Sequence, residues 1–153
     1  DLSDISPLKG MKNLHYLDLR ETKVVDLSPL REMDSLVTLT LSFTAVEDIS
    51  PLKDLLKLRE LYLRETKVSD LNPIVSLTNI EQLNLRRTNV TDLTPLQHLK
   101  NLTILNLQST NVSDISPLEG LQLLQWLNLW GTNVSKDSEL VKKLEERITV
   151  FLL

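Results

Sequence analysis

Apolar residues recur along the chain at spacings that repeat every 22 residues. In each unit, three leucine-type positions follow the pattern L-x-x-L-x-L, as at Leu14, Leu17 and Leu19, and the last two alternate with polar or variable positions. Alternation with a period of two is typical of a strand with one buried face. The pattern therefore predicts one short strand per unit, and we expect successive units to stack these strands into a parallel sheet.

A short helical turn is predicted after each strand. Serine, asparagine or threonine precedes a proline in each of these turns, and we expect that polar residue to act as the N-cap. Buried positions then follow three residues apart, as at Leu30 and Met33. A spacing of three over one or two turns favours a 3₁₀ segment over an α-helix. The prolines mark the six turns at Pro7, Pro29, Pro51, Pro73, Pro95 and Pro117.

The pattern changes after Thr132. Lys136 and Glu139 replace the aspartate and proline of the earlier units, and the apolar residues that follow fall at helical spacing. This predicts an α-helix from Asp137 or Ser138 to about Arg147.

The last residues, Thr149 to Leu153, are apolar and favour β-structure. They either add a strand beside Trp126–Trp130 or form the edge of a longer element. We divide the chain into six repeats at 1–134, the first one partial, and a capping helix with a terminal strand at 135–153.

A period between 20 and 29 residues with this leucine spacing is the signature of a leucine-rich repeat. The predicted fold is an α/β solenoid: a horseshoe with a parallel concave β-sheet, short 3₁₀ turns on the convex side and a C-terminal α-helical cap. The chain opens within a repeat at Asp1-Leu2-Ser3-Asp4, and terminal repeats need a polar cap. We therefore expect native sequence before Asp1.

Two polar positions also recur in every unit. A threonine ends each strand, at Thr22, Thr44, Thr66, Thr88, Thr110 and Thr132, and its hydroxyl can bond the backbone of the following turn. An aspartate precedes each proline turn, at Asp4, Asp26, Asp48, Asp70, Asp92 and Asp114. One carboxylate per unit lacks the dense oxygen cluster of a calcium loop. We expect the aspartates to cap turns and not to bind metal.

The segment Asp-Ile-Ser-Pro-Leu at 4–8, 48–52 and 114–118 closely resembles the 22-residue repeats of bacterial internalins. The resemblance covers residues 1 to about 134. Threonine stands where those repeats mostly carry asparagine. The resemblance implies a curved solenoid that binds a protein through its concave face, and it implies no particular partner.

The composition of the chain argues against several classes of function. The 153 residues carry a net charge of −4 and include no cysteine, which excludes disulfides and thiolate metal sites. Acidic and basic residues are interspersed, so we expect no nucleic-acid partner, and no apolar run is long enough to insert into a membrane. His15 and His98 belong to different parts of a repeat, and no catalytic motif is present. We expect no enzymatic activity and no cofactor.

The candidate binding face follows from the strand pattern. If Leu17 and Leu19 point inward, positions 16, 18 and 20 of each unit lie on the concave face, with position 21 at its edge. These positions vary between units while the buried ones barely change, which favours a partner-binding surface. The candidate residues are Tyr16, Phe43, Tyr62, Arg64, Arg86, Arg87, Ile104, Trp126 and Trp130.

Trp126 and Trp130 are the only tryptophans, and exposed tryptophans are common in binding hot spots. The alternative is that the C-terminal cap or a following segment covers them. Phe43 at the edge has either a contact role or a packing role.

A second cluster places Arg64 beside Arg86 and Arg87. We expect Glu65 to pair with Arg87 and Glu60 to contribute. The cluster is either a balanced, solvated surface or a patch, flanked by Tyr62, that receives an acidic partner.

We predict a protein-binding module, the recognition domain of a larger bacterial protein that is secreted or on the cell surface, with a cytoplasmic location left open. It is expected to be monomeric unless its N-terminal edge self-associates. Two alternatives remain. The chain is the recognition domain of a larger enzyme or signalling ATPase, or its concave aromatic residues stack on glycans.

Overall fold

The computed structural model describes residues 2–152 and shows one parallel sheet. Within this range the sheet has seven strands in sequence order, so each strand pairs with the strand of the next repeat. The strands are β1 Tyr16–Asp18, β2 Thr38–Thr40, β3 Glu60–Tyr62, β4 Gln82–Asn84, β5 Ile104–Asn106, β6 Trp126–Asn128 and β7 Thr149–Phe151. This confirms the predicted solenoid.

The helical elements between the strands are short, as the spacing of three predicts. The 3₁₀ turns are Ser6–Leu8, Ser28–Leu30, Ser50–Leu52, Asn72–Ile74, Thr94–His98 and Ser116–Leu118. The α-helix α1 covers Glu139–Glu145, a shorter span than the predicted one.

The repeat length sets the strand register. From β1 to β6 each residue pairs with the residue 22 positions later, as in Leu83 with Leu105. The strand β7 pairs with β6 and places Trp126 opposite Thr149. Of the two possibilities for the terminal segment, Thr149–Phe151 forms the additional strand, and Leu153 lies outside the described residues.

The core is a continuous column of aliphatic side chains beneath the sheet. The inward residues of the central strands, among them Leu61, Leu83 and Leu105, are essentially inaccessible to solvent. At the N-terminal edge, Leu17 of β1 remains partly exposed, whereas the equivalent Leu39 of β2 is fully buried. Each repeat therefore buries its core against its neighbours.

The proline turns are capped differently from the prediction. The serine, asparagine or threonine before proline is the first residue of the 3₁₀ turn, and no side-chain cap bond is made at the N-cap position before it. Instead, the backbone N–H of Ser50 donates to Oδ1 of Asp48 at 2.7 Å. Equivalent bonds of 2.8 Å occur in the other five turns. The expected capping role of the aspartates is confirmed, and the expected N-cap role of their polar neighbours is wrong.

The threonine hydroxyls bond the backbone as expected. Oγ1 of Thr88 donates to the carbonyl oxygen of Leu85 at 2.7 Å, and the other five threonines make the same bond at 2.7–2.8 Å. Four of these side chains, Thr44, Thr66, Thr88 and Thr110, are buried. The hydroxyl thus closes the turn at the end of each strand.

Polar contacts hold α1 against the last repeats. Nζ of Lys143 lies 2.8 Å from Oε1 of Glu119, and Arg147 donates to the Gln122 side chain and to the backbone carbonyl of Leu121. The Lys143 hydrogen bond lowers the pKa of Glu119. These contacts, together with buried Val141 and Leu144, cover the end of the core.

Candidate functional site

The solvent side of the sheet, which we call the concave face, carries the residues of positions 16 and 18 in register. Their ladders begin at the pairs Tyr16–Thr38 and Asp18–Thr40 and continue through β6. Side chains in one ladder lie about 5 Å apart. Residues that the sequence places in one column therefore lie next to each other on adjacent strands.

The residues equivalent to position 21 in the first five repeats share an unusual backbone conformation. Glu21, Phe43, Glu65, Arg87 and Ser109 have φ between 53° and 61°, a left-handed conformation that is uncommon for residues other than glycine. The backbone nevertheless continues to pair between repeats, since the N–H of Glu65 donates to the carbonyl of Arg86 at 2.8 Å. The left-handed residue turns the chain away from the strand and fixes the direction of the side chain at the edge.

Sequence reasoning missed this conformation. The one available signal is Gly131, which occupies the same position in the sixth strand and has φ 69°.

Three arginines and one glutamate form the arginine cluster: Arg64, Arg86, Arg87 and Glu65. Oε1 of Glu65 lies 3.2 Å from Nη2 of Arg64 and 3.1 Å from Nη1 of Arg87. The expected pair between Glu65 and Arg87 is present, and Arg64 shares the same oxygen.

Arg86 differs from its neighbours. Its Nε is enclosed by protein and has no hydrogen-bond partner within residues 2–152. Burial lowers the pKa of the Arg86 guanidinium, and the positive charges of Arg64 and Arg87 lower it further. The enclosed Nε–H of Arg86 therefore lacks the acceptor that buried polar groups normally have.

Phe43 lies against the cluster from the neighbouring repeat. The guanidinium carbon of Arg64 is 4.6 Å from the centroid of the Phe43 ring, in cation–π contact. The Phe43 side chain is still 38% exposed. The ring therefore supports Arg64 and also presents apolar surface to solvent.

Tyr62 and Glu60 form a separate hydroxyl network. The Tyr62 hydroxyl donates to Oε1 of Gln82 at 3.0 Å and lies 3.3 Å from Oε2 of Glu60, which also accepts from Thr38. Burial raises the pKa of Tyr62, and the charge of Glu60 contributes. Glu60 makes no direct contact with the arginines in the described part of the chain, contrary to the expectation.

These groups surround an open depression of about 400 Å³ on the concave face. Tyr16 at its N-terminal end is 57% exposed, and Arg20 forms a salt bridge of 2.7 Å with Asp18. The lining residues are Tyr16, Arg20, Thr38, Thr40, Ser42, Phe43, Glu60, Tyr62, Arg64 and Asn84. Arg20 is thus neutralised within its own strand, in contrast to Arg86.

The two tryptophans have different environments. Trp126 is half-buried and packs against Phe151 of β7, with ring centroids 5.3 Å apart. Trp130 is 43% exposed. Ile104, the strand neighbour of Trp126, is partly buried. Trp130 is therefore the more accessible of the two tryptophans.

The asparagines of the position-18 column have a structural role that the sequence did not suggest. Oδ1 of Asn84, Asn106 and Asn128 accepts the backbone N–H two residues later, at 2.9–3.0 Å. These bonds orient the residues of position 20, including Arg86.

The two histidines lie in different parts of the repeat. His15 contacts the Asn13 carbonyl, whereas His98 lies at the end of a 3₁₀ turn. No group of three or more His, Cys, Asp or Glu residues in this range is arranged to hold a metal ion. None of the helices described here is long and apolar enough to cross a bilayer.

The repeats match a known protein family. A family profile described as Leucine Rich repeats (2 copies) matches residues 57–98 and 78–120. No curated protein matches the chain significantly.

Solved structures match over nearly the whole chain. The internalin InlF of Listeria monocytogenes is 34% identical with a TM-score of 0.93, and the match covers 99% of this chain. Internalin C2 of the same organism is 31% identical with a TM-score of 0.90 and the same coverage. A leucine-rich repeat protein of Leptospira interrogans is 27% identical over 92% of the chain, with a TM-score of 0.83, and matches over 37% of its own length.

The chain spans 44% of the InlF chain and 66% of the internalin C2 chain. Together with the 22-residue register, the proline turns and the parallel sheet, these similarities lead to one conclusion. The chain is an internalin-like leucine-rich repeat protein.

Proposed function

We propose that this chain is a binding module whose concave face receives another protein. The observation that carries the proposal is the contrast between the two sides of the sheet. The buried side repeats the same leucines, whereas the solvent side brings exposed Tyr16, Phe43 and Trp130 together with charged side chains. Aromatic and arginine side chains are the types enriched in binding hot spots.

Similarity to internalins supports this use of the face and favours a place in a larger bacterial surface or secreted protein. We propose that the repeats at 1–134 carry recognition and that 135–153 closes the C-terminal end. The module has no activity of its own in this proposal, and it acts as a monomer.

A capture experiment tests the proposal. The chain is immobilised and exposed in parallel to host-cell surface extract and bacterial lysate. The concave variant combines Tyr16→Ser, Tyr62→Ser and Trp130→Ser. A control variant carries Val25→Ser, Leu56→Ser and Leu123→Ser, which change exposed apolar residues outside the concave face.

We expect a protein that binds the wild-type chain and the control variant and is lost with the concave variant. Binding that survives in the concave variant contradicts the proposed face. If only carbohydrate on a glycan array binds, the proposal of a protein partner is wrong.

A further inference from the structure

Two of the three arginines in the arginine cluster, Arg64 and Arg87, form salt bridges. One oxygen of Glu65 serves both Arg64 and Arg87, at 3.2 and 3.1 Å. Arg86 occupies the position of Arg64 in the next repeat and has no acceptor for its enclosed Nε in residues 2–152. Arg86 forms no salt bridge within residues 2–152, and because its Nε is enclosed, a partner can reach this partly buried side chain only through its terminal Nη groups.

The backbone fixes Arg86 in this position. Its N–H donates to Oδ1 of Asn84 at 3.0 Å, and its carbonyl accepts from Glu65 at 2.8 Å. Arg64 beside it is supported by the Phe43 ring. Both arginines are therefore oriented before any partner arrives, which reduces the entropy lost on binding.

We propose that the arginine cluster is a subsite for one carboxylate, supplied by an acidic side chain of the partner polypeptide, with Arg86 as its main donor. The inference rests on the proposed function and specifies what the face recognises. Arginine presents two parallel N–H groups that match a carboxylate, and such bidentate pairs are stronger than neutral hydrogen bonds.

Charge complementarity favours an acidic occupant. The three arginines bring three positive charges, and Glu65 brings one negative charge. The cluster therefore keeps an excess of positive charge, which a carboxylate of the partner reduces.

The surroundings indicate what accompanies the carboxylate. Phe43 and Tyr62 line the depression next to Arg64, and Phe43 keeps an exposed ring surface. An acidic residue that enters the cluster brings its sequence neighbour over these rings. The preferred segment therefore has an apolar residue beside the acidic one.

Side-chain NMR tests the subsite directly. The Nε–H signals of the arginines are followed during titration with acetyl-Phe-Glu-amide, and acetyl-Phe-Gln-amide is the matched control. We expect the Glu peptide to shift the Arg86 and Arg64 signals saturably. The Arg20 signal should stay in place, because its Nε already donates to both oxygens of Asp18.

Substitution of Arg86 adds a second measurement. Arg86→Gln should weaken the Glu peptide about tenfold or more, the effect expected for a lost charge-assisted hydrogen bond. Arg86→Lys should be intermediate, since it keeps the charge without the fork. Circular dichroism of each variant checks that the repeat fold is retained.

Three results overturn the inference: equal shifts with both peptides, shifts of Arg20 as large as those of Arg86, or tighter binding of inorganic phosphate than of the Glu peptide. The proposed function can fail separately. A captured protein that is lost with the concave variant but retained by Arg86→Gln supports the concave face and rejects the carboxylate subsite.

Discussion

Trp126 packs against Phe151 with ring centroids 5.3 Å apart and an interplanar angle of 51°. The contact exists because β7 pairs with β6 and places Phe151 opposite Asn128, two residues from Trp126 on the same face. A tilted pair at this distance is a favourable aromatic geometry. The terminal strand therefore covers one tryptophan and leaves Trp130 accessible.

The two tryptophans should respond differently to truncation. We expect Trp126→Ala to lower the free energy of unfolding by about 1–3 kcal/mol, below the value for a fully buried aromatic because the ring is only half-buried. Trp130→Ala should change it by less than about 0.5 kcal/mol. Urea denaturation measures both, and a double-mutant cycle between Trp126 and Phe151 should give a coupling of about 0.5–1.5 kcal/mol. Equal losses for the two variants would contradict this assignment.

The leucine core should be sensitive in its central repeats. Leu105→Ala removes a fully buried side chain between two neighbouring repeats, and we expect a loss of about 2–5 kcal/mol in unfolding free energy. Leu56→Ala is the matched control, because Leu56 is 55% exposed, and its effect should stay within about 0.5 kcal/mol. A small loss at Leu105 would mean that the core can collapse into the vacated space.

The threonine hydroxyls should contribute measurably. Thr88→Val keeps the shape of the buried side chain but removes the donor to the Leu85 carbonyl, and we expect a loss of about 1 kcal/mol. Thr91→Val, at an exposed position of the same repeat, serves as the control. The thermal midpoint of each variant provides the measurement, and an unchanged midpoint for Thr88→Val would show that the backbone N–H bond to the same carbonyl is sufficient.

Acid should weaken the fold through the turn aspartates. The backbone hydrogen bond from Ser6 or Ser50 lowers the pKa of Asp4 or Asp48, and the Thr94 hydroxyl lowers that of Asp92. A carboxyl with a lower pKa in the folded state binds fewer protons there. Its contribution is present above the unfolded pKa of about 3.9 and is lost as pH falls through the folded value.

The corresponding measurement is the thermal midpoint between neutral pH and pH 2. The wild-type midpoint should fall as pH drops below about 4. A triple variant with Asn at positions 4, 48 and 92 keeps an acceptor but cannot titrate there, so its midpoint should fall less. Asp54→Asn is the control, since the Asp54 side chain accepts no hydrogen bond in residues 2–152. An identical slope for the triple variant would contradict the assigned role.

Glycine at position 131 should resist substitution. Gly131 has φ 69°, and an added Cβ would lie 3.3 Å from Oγ of Ser109. We expect Gly131→Ala to cost about 1 kcal/mol or more in unfolding free energy. At Gly120 the nearest atom to an added Cβ is the flexible Lys100 Nζ, so Gly120→Ala should cost less. Equal costs would mean that the left-handed backbone relaxes without strain.

Particular residues show how far sequence reasoning reached. The column neighbours, such as Tyr62 and Asn84, follow from the period alone and are confirmed. The N-cap assignment was wrong because the pattern does not reveal that the residue before proline already belongs to the 3₁₀ turn, where its own N–H needs an acceptor. The helix α1 was placed correctly but predicted too long at both ends, since α1 ends at Glu145.

The amino-acid sequence by itself determined the repeat length, the buried face, the strand register and the surface columns of this protein. It could do so because burial imposes the same apolar spacing on every repeat, and identical repeats can stack in only one register. The tertiary structure alone decided that Glu65 pairs with two arginines, that the Arg86 Nε has no acceptor among residues 2–152, and that Phe151 packs against Trp126. These relationships depend on side-chain directions across neighbouring strands and on left-handed backbone at the strand ends, which a one-dimensional pattern does not encode.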